Sequence, residues 1–262
     1  MKQIILVVTV GILSACSTVP LTNRKQFTAI PTAQMLTLSN QSYSQVLQEE
    51  NSIRNTNESQ AIARVGRRIA NAVEVYLASI DRKALIDGYE WEFNLIKSDA
   101  LNAWCMPGGK IAFYTGILPI CQNDNGIAVV MAHEVAHAIA KHGNERMSQQ
   151  LVLQMGGTAL SEALKESKET TMQIAMTAFG LGAQLGVTLP YSRKHESEAD
   201  ELGLYFMAMA NYDPREAPEF WIRMMSQSEG NPPEFLSTHP NPQKRINNLK
   251  RLMPKAMEYY RN

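Results

Sequence analysis

His133 and His137 lie four residues apart in the stretch HEVAH, with Glu134 between them. Residues at this spacing on an α-helix share one face, so both imidazoles can reach a single metal ion. Glu134 points away from that face. A carboxylate there would miss the metal but reach a water bound to it, take a proton from that water and return it to a leaving amine. The spacing therefore predicts hydrolysis of a peptide bond by a zinc-activated water.

The residues around this pair have the pattern of a buried amphipathic helix. Apolar residues recur at helical spacing, at Ile127, Val130, Met131, Val135, Ala138 and Ile139. We expect Asn123 or Asp124 to cap the start of the helix and Gly143 to end it. The alternative is a core helix whose histidines bind no metal, but burying two imidazoles and a carboxylate in that way would cost several kcal/mol.

Candidates for a third ligand lie in a second predicted helix, in the stretch HESEADELG that begins at His195. Glu196 and Asp200 are one turn apart and share a face. Glu196 can complete the three protein ligands of a catalytic zinc, and Asp200 can orient a ligating histidine. His195 is a rival ligand that cannot share the face of Glu196. Glu198 is expected to face solvent.

These motifs resemble those of the zinc metallopeptidases of the HtpX, Oma and CAAX-prenyl-protease superfamily, peptidase family M48. The stretches HEVAHAIAKH, HESEADELG, NAWCMPGGKIAFYTG and STHPNPQKRI carry the resemblance, in order, from about Asn102 to Leu249. In that family the first glutamate of an E-x-x-A-D motif is the third ligand, which implies Glu196. The aspartate of the motif, here Asp200, is assigned either as a proton donor or as a structural partner of the histidine helix.

The resemblance and the residues together imply a catalytic site with one zinc ion per chain, held by His133, His137 and Glu196. Glu134 is the expected base. A further donor should stabilise the oxyanion, and His239 and Arg245 are the candidates, with a helix cap or a surface pair as the alternative. Neutral His239 could instead take the fourth zinc position and hold the enzyme latent. We favour the latent role, because a periplasmic protease of broad specificity needs restraint.

The fold class expected is α+β: a mostly α-helical, gluzincin-type metallopeptidase with a small β-sheet next to the HExxH helix. Alternation and turn signals predict strands at Tyr89 to Lys97, Leu101 to Met106 and Ile111 to Thr115. One strand at the sheet edge should face the cleft and pair with an extended substrate. Two segments could supply it: the strand containing Asn102, Ala103 and Trp104, or Ile111 to Tyr114.

Helical periodicity predicts further helices at Ala33 to Glu50, Glu58 to Ala78, Glu196 to Ala210, Pro214 to Gln227 and Gln243 to Tyr260. We expect the last of these to break or kink near Pro254. The segment from Leu151 to Leu189 is rich in Gly, Ala and Met. It is expected to form a packed helical hairpin, with a movable cover over the cleft as the alternative.

The N-terminus resembles a bacterial lipoprotein signal. Lys2 precedes an apolar run from Ile4 to Leu13, which is too short to span a bilayer, and LSAC follows it. Cys16 would carry the lipid, and Ser17 implies sorting to the outer membrane, so the chain would face the periplasm from a membrane anchor. An ordinary cleaved signal is the alternative. The chain then divides into a signal peptide (1–15), a lipidated N-terminus, tether and first helix (16–57), and a zinc metallopeptidase domain (58–262).

The composition fits one exported globular domain. Hydrophobic residues make up 45% of the chain, and 25 basic residues balance 25 acidic ones, which gives no indication of a nucleic-acid partner. Cys105 and Cys121 flank the Pro-Gly-Gly turn and its returning strand. In an oxidising compartment they can form a disulfide, and the alternative is two small buried side chains.

The predicted function is zinc-dependent endopeptidase activity on unfolded or misassembled envelope proteins. Its partners would be flexible protein substrates, the membrane that holds the lipid anchor, and the machinery that assembles outer-membrane proteins. One alternative is a metal-stabilised chaperone or assembly factor for those proteins, with latent protease activity. Another is a zinc hydrolase acting on cell-wall peptide or a different amide. Glu134 favours an enzyme, because a binding scaffold needs no base.

Overall fold

The computed structural model describes residues 16–184, 189–227, 235, 239 and 242–260, so the predicted signal peptide lies outside the described residues. The strands are β1 (Cys16–Thr18), β2 (Lys25–Phe27), β3 (Ser52–Ile53), β4 (Glu92–Ile96), β5 (Ala103–Met106) and β6 (Lys110–Tyr114). The helices are α1 (Thr32–Glu49), α2 (Asn57–Ser79), α3 (Leu118–Cys121), α4 (Asp124–Ile139), α5 (His142–Ala163), α6 (Glu169–Ala183), α7 (Leu189–Met209), α8 (Glu216–Ser226) and α9 (Pro242–Tyr259). This is the predicted α+β fold, with most predicted elements within a few residues of their expected bounds.

The main sheet has the strand order β3-β4-β6-β5. Strands β4 and β6 run parallel, with Phe93 opposite Ile111, and the other pairs are antiparallel. Strand β6 is paired on both sides, whereas β5 forms an edge of the sheet. Of the two segments proposed to bind an extended substrate, only the one containing Asn102, Ala103 and Trp104 therefore lies at an edge with no strand paired outside it among the described residues. Strands β1 and β2 form a separate antiparallel hairpin.

Helix α4 carries HEVAH and lies at the centre of the molecule. Asn123 caps its start, because its Oδ1 atom accepts hydrogen bonds from the backbone N–H groups of Asn125 and Gly126 at 2.9 and 3.2 Å. Helices α2, α7 and α8 and strand β5 pack around α4, so nearly all its side chains are buried. The helix is thus buried on all sides rather than amphipathic, which fixes the position of the side chains it carries.

Helix α4 ends earlier than its sequence predicts. The helix ends at Ile139 and not at Gly143, because Lys141 adopts a left-handed backbone conformation with φ of 55°. Helix α5 then begins at His142. This change of direction brings the His142 ring against His137, with 4.9 Å between the ring centroids.

Close approach of α7 to α4 depends on Gly203. A Cβ atom at Gly203 would stand 3.0 Å from both the Cα and the N of His133, which is tighter than ordinary contact. Glycine at this position lets the two helix backbones meet. The contact brings the carboxylates of α7 to the histidines of α4.

Helix α9 runs without interruption through Pro254, so the helix does not break there, and a kink at that residue stays a prediction. Proline removes one backbone hydrogen bond from a helix interior. Here the helix also buries an apolar stripe against α7 and α8, formed by Ile246, Leu249, Leu252 and Ala256. Tertiary packing on both sides of Pro254 therefore outweighs the local preference.

The predicted disulfide is wrong, because Cys105 and Cys121 are both free. Cys121 lies against the start of α4, where a Cβ atom on Gly126 would be 1.9 Å from its carbonyl oxygen. Cys105 lies on β5 and lines the same cavity as Glu134. Gly126 and Glu134 are eight residues apart on α4, which corresponds to about 12 Å along the helix. The two thiols thus lie near different parts of that helix.

Helices α5 and α6 form the predicted hairpin and pack against each other, with Gly156 of α5 facing Phe179 of α6. The hairpin is not plainly packed, since it leaves large apolar side chains exposed: Leu151, Val152, Met155, Ile174 and Leu181. Among the described residues, no helix has both the length and the hydrophobicity that crossing a bilayer requires.

Candidate metal centre

The three predicted ligands converge, and His239 joins them. One nitrogen or oxygen atom from each of His133, His137, Glu196 and His239 lies within 4.8 Å of all the others. The Nε2 atoms of His133 and His137 are 3.1 Å apart, and each is 3.4 Å from the Glu196 carboxylate. The Nδ1 atom of His239 is 3.2 Å from His133 Nε2 and 2.7 Å from Glu196 Oε2. Helices α4 and α7 therefore bring together the donors that their sequence spacing predicts.

This donor set fits zinc. Imidazole nitrogens and a carboxylate oxygen are typical zinc ligands, and here they point at one another from within a buried site. The neighbouring Oε1 atom of Glu134 is also buried, and among the described residues it has no hydrogen-bond partner. Buried polar atoms in proteins are normally paired. A group from outside the chain, such as a metal and its water, would account for both features.

Glu134 has the environment of a base. Its side chain is 4% exposed and lines the cavity described below. Burial raises the pKa of this carboxyl group, against the opposing effects of His239 and His133. A carboxylate whose pKa rises toward the working pH takes up a proton more readily. Glu134 therefore combines the expected position with a favourable electrostatic setting.

Asp200 and Arg245 hold His133 from behind. The Nδ1 atom of His133 is 3.3 Å from Asp200 Oδ1, and Arg245 donates two hydrogen bonds to the Asp200 carboxylate, one of them from Nε at 2.8 Å. The Arg245 guanidinium also stacks 3.7 Å above the ring of Trp221. The charge of Arg245 lowers the pKa of Asp200, although burial opposes this. The arrangement fits the predicted role of Asp200 as a partner of a ligating histidine.

The predicted role of Arg245 as a donor to the oxyanion depends on where its guanidinium lies. Arg245 is not part of the lining of the cavity that Glu134 faces, but its guanidinium contacts two predicted ligands directly: Nη2 is 3.2 Å from His133 Nε2, and Nη1 is 3.3 Å from Glu196 Oε2. These contacts support both Asp200 and the predicted ligands, and the role of Arg245 as a donor to the oxyanion stays a prediction. His239 does line that cavity, so it remains the candidate for either of its two predicted roles.

The structure corrects one further expectation on α7, that for Glu198, and agrees with the argument against His195. Glu198 was expected to face solvent, but it is 6% exposed, because the turn of the β1–β2 hairpin covers that side of the helix. His195, the rival ligand, lies outside the metal cluster. Its Nε2 atom is 2.9 Å from Glu145 Oε2, and its ring stacks on that of His142 at 4.2 Å.

These residues belong to a second buried polar cluster beside His137, formed by Arg24, His142, Glu145, His195 and Glu198. Burial lowers the pKa of His142 to about 4. Hydrogen bonds from His195 and Arg24 lower the pKa of Glu145 to about 2, although burial opposes this. The sequence analysis missed the cluster. The three-residue spacing of His142 and Glu145, just beyond HEVAH, was the available signal, whereas no pattern marks Arg24.

A cavity of about 500 Å³ opens beside the metal cluster. Its lining includes the side chains expected to do chemistry, namely Glu134, His137, Glu196 and His239. It also includes Asn102, Ala103 and Trp104, at the start of the edge strand β5. Met35 and Leu36 of α1 add apolar surface. A strand edge and the candidate catalytic residues thus share one cavity, and the binding of substrate by that edge stays a prediction.

Comparison with known proteins gives consistent matches over most of the chain. Residues 58–253 match the model of Peptidase family M48. Mitochondrial metalloendopeptidase OMA1 of Saccharomyces cerevisiae is 36% identical over 190 residues, covering 70% of this chain and 52% of that protein. Metalloendopeptidase OMA1 of Homo sapiens is 30% identical over 182 residues, 66% of this chain and 34% of that protein.

A bacterial relative gives a similar match. The Beta-barrel assembly-enhancing protease of Escherichia coli is 29% identical over 161 residues, covering 60% of this chain and 33% of that protein. The chain therefore spans about half the length of the yeast relative and about a third of the human and bacterial ones.

Proposed function

The chain belongs to peptidase family M48, as its motifs indicated, and from that premise we propose that it is a zinc-dependent endopeptidase. The matched region contains the three predicted zinc ligands and the predicted base. The observation that carries the proposal is the position of Glu134. Its buried Oε1 atom, which has no hydrogen-bond partner in the part of the chain that the structure describes, lies beside the metal cluster, in a cavity that an edge strand also lines.

His133, His137 and Glu196 would hold the zinc ion through the atoms that already converge. When bound, zinc supplies a Lewis acid and a water acidified toward neutral pH. Glu134 accepts the proton of the attacking water at its carboxylate and delivers it to the leaving nitrogen. Asp200 keeps the His133 ring in the orientation that directs Nε2 to the cluster.

We infer that His239 restrains this activity. Its Nδ1 atom contacts the metal ligands, and its Nε2 atom is 3.5 Å from Glu134 Oε1. The ring therefore stands where an attacking water would need to be, between the ligands and the base. Movement of His239 would clear this space and leave the ring near the cavity, where it could donate to the oxyanion.

The proposed substrates are extended segments of unfolded or flexible proteins. Strand β5 offers a free edge in the cavity, and an extended peptide can add to such an edge through its backbone. Recognition by backbone hydrogen bonds implies weak selection for particular side chains. A folded segment cannot bind in this way, because its N–H and C=O groups are already paired.

We place the chain in the bacterial envelope, anchored by lipid to the outer membrane. The N-terminal pattern ending in LSAC supports this, as does the Escherichia coli relative, whose name links it to β-barrel assembly. The OMA1 relatives carry mitochondrial names, so a labelling test of Cys16 is needed. Misassembled outer-membrane proteins are the proposed substrates in that location, and their assembly machinery is the proposed partner.

Casein digestion tests the enzymatic proposal. The wild type should cleave casein, and a chelator should stop cleavage until zinc is restored. Glu134→Gln should retain about one zinc per chain and lose about 10²–10⁴-fold in rate, because glutamine cannot accept the proton. Glu219→Gln, on the exposed surface of α8, is the matched control. A Glu134→Gln protein as active as the wild type would refute the proposed mechanism.

A chaperone is the second candidate, favoured by the exposed apolar side chains of the α5–α6 hairpin. Exposed apolar patches are typical of surfaces that bind other proteins. A chaperone would suppress aggregation of an unfolded outer-membrane protein equally well with Glu134→Gln. If that variant suppresses aggregation and the wild type does not cleave casein, the protein is a chaperone and the protease proposal is wrong.

A further inference from the structure

The two histidines of α4 are supported in parallel ways. His133 is held by Asp200, which is held by Arg245. His137 is held by His142, whose Nδ1 atom is 2.9 Å from the Nδ1 atom of His137. Each histidine thus has a buried partner at the ring nitrogen that faces away from the metal cluster. Such partners fix the ring and its tautomer in metal sites.

The support of His137 continues beyond His142 to the N-terminal hairpin. With Nε2 of His137 directed to the metal cluster, its proton lies on Nδ1 and is donated to Nδ1 of His142. His142 then carries its proton on Nε2 and donates it to Glu198 Oε2 at 2.9 Å. Arg24 donates from Nε to the same carboxylate at 2.7 Å, and Thr22 donates to its other oxygen.

Arg24 also anchors this chain of hydrogen bonds on its other side. Its two terminal nitrogens donate to the Glu145 carboxylate at 3.0 and 2.8 Å. Glu145 is three residues after His142 on α5, so one guanidinium bridges α5 and α7. The side chains of Arg24, Glu145 and Glu198 are at most 9% exposed. Solvent screening of these ion pairs is therefore weak.

We infer that Arg24 is a positioning residue for the metal ligand His137, acting through Glu198 and His142. The inference rests on the proposed zinc site. It adds that the site is completed by a residue outside the matched family region, 58–253, because Arg24 lies at the end of the β1–β2 turn. The N-terminal hairpin is thus part of the support of the metal centre.

Zinc affinity measured by competition with a chromophoric chelator tests this role without relying on proteolysis. Arg24→Met removes the guanidinium and should weaken zinc binding about 10–100-fold, the range typical of lost outer partners of ligands. The zinc affinity of Arg24→Lys should lie between those of the wild type and Arg24→Met. An ammonium keeps the charge, but it cannot bridge two carboxylates as the forked guanidinium does. Arg64→Met is the matched control, because Arg64 forms an exposed ion pair with Asp124 at the start of α4.

Glu198→Gln is a second variant, which tests the same role if Arg24→Met fails to fold. It keeps the Arg24–Glu145 pair and the size of the side chain but removes the carboxylate that receives the His142 proton, so zinc affinity should fall about tenfold or more. Thermal unfolding of the metal-free variants reports on the fold separately. In the Co²⁺-substituted protein, the visible absorption should change in Arg24→Met and match the wild type in Arg64→Met.

Wild-type zinc affinity in Arg24→Met would overturn the inference, even if its metal-free form melted at a lower temperature, because the role would then be structural. If Arg24→Met does not fold, wild-type affinity in Glu198→Gln would overturn it instead. His137→Ala separates this result from failure of the proposed function. If that variant bound zinc as tightly as the wild type, the proposed metal site would be wrong, and the role of Arg24 would fall with it.

Discussion

The Nδ1 atom of His239 lies 2.7 Å from the Oε2 atom of Glu196, so a histidine close to the start of α9 contacts the predicted third zinc ligand. Phe235 packs against the His239 ring, with 4.5 Å between the ring centroids. The ring is only 8% exposed. These contacts hold the imidazole on the metal cluster, which favours the latent role over the oxyanion role for the state described.

Replacement of this ring separates the two roles. His239→Ala should raise basal cleavage of casein several-fold with unchanged zinc content, because the space between the ligands and Glu134 becomes open to water. The measurement is the initial rate, with zinc content determined on the same sample. A turnover rate lower by about 10²–10³-fold would instead identify His239 as the oxyanion donor.

The stability and zinc affinity of the protein should depend on the guanidinium of Arg245 and not only on its charge. Arg245→Lys replaces the two hydrogen bonds from Arg245 to Asp200 with at most one, because an ammonium cannot form the paired hydrogen bonds of a guanidinium. The loss of one hydrogen bond to a buried carboxylate should lower the free energy of unfolding by about 1.5–3 kcal/mol. Zinc affinity should fall as well, since Asp200, the partner of the His133 ring, is then held less firmly.

Chemical denaturation and zinc competition measure these two effects. Arg251→Lys, on an exposed turn of the same helix α9, should change neither. An Arg245→Lys protein with wild-type stability and zinc affinity would show that Asp200 is held by other means.

The contact between α4 and α7 can be tested at Gly203. Gly203→Ala places a Cβ atom about 3.0 Å from the backbone of His133, so the helices must separate slightly. We expect a loss of about 1–3 kcal/mol in the free energy of unfolding, together with weaker zinc binding as Glu196 moves away from the histidines. Denaturant titration and zinc competition are the measurements.

Gly180→Ala on α6 is the control for this change, because nothing lies within 4 Å of the added Cβ atom. It should leave zinc affinity unchanged and stabilise the helix by up to about 1 kcal/mol. Equal effects of the two substitutions would show that the close helix contact at Gly203 is not needed to form the site.

Lipid attachment at Cys16 is open to direct labelling. In bacterial cells supplied with radioactive palmitate, the wild type should incorporate label, and Cys16→Ser should not, because serine lacks the thiolate that accepts the lipid. Cys121→Ser tests whether label enters through another thiol and should behave like the wild type. Equal labelling of wild type and Cys16→Ser would exclude the proposed anchor.

The parts of the site that the sequence predicted depend on local spacing. His133 and His137 share a face because α4 is helical, and Glu196 and Asp200 share a face of α7 for the same reason. Burial on α7 was not predictable in this way. Glu198 lies two residues from Glu196 and was assigned to solvent, but the β1–β2 hairpin covers it.

Arg24 was missed because its contacts are distant along the chain. It reaches Glu198 across 174 positions and Glu145 across 121, and no periodicity records such a meeting. The absence of a break at Pro254 has a related cause, since packing of α9 on two other helices outweighs the local cost of a proline. The disulfide between Cys105 and Cys121 was predicted wrongly for the same reason. The spacing of two residues around a turn does not determine how far apart their side chains lie in the fold.

The short edge strand β5 has a consequence for how quickly different proteins would be degraded. Its four residues span about 13 Å, so a bound segment must first come free of its own structure over at least that length. When such opening is fast and reversible, the cleavage rate follows the fraction of time that the segment spends open. Under the proposed function, the enzyme would therefore degrade proteins according to how long they remain partly unfolded. Proteins that complete their assembly quickly would be spared, and those whose segments stay unfolded for longer would be cleaved.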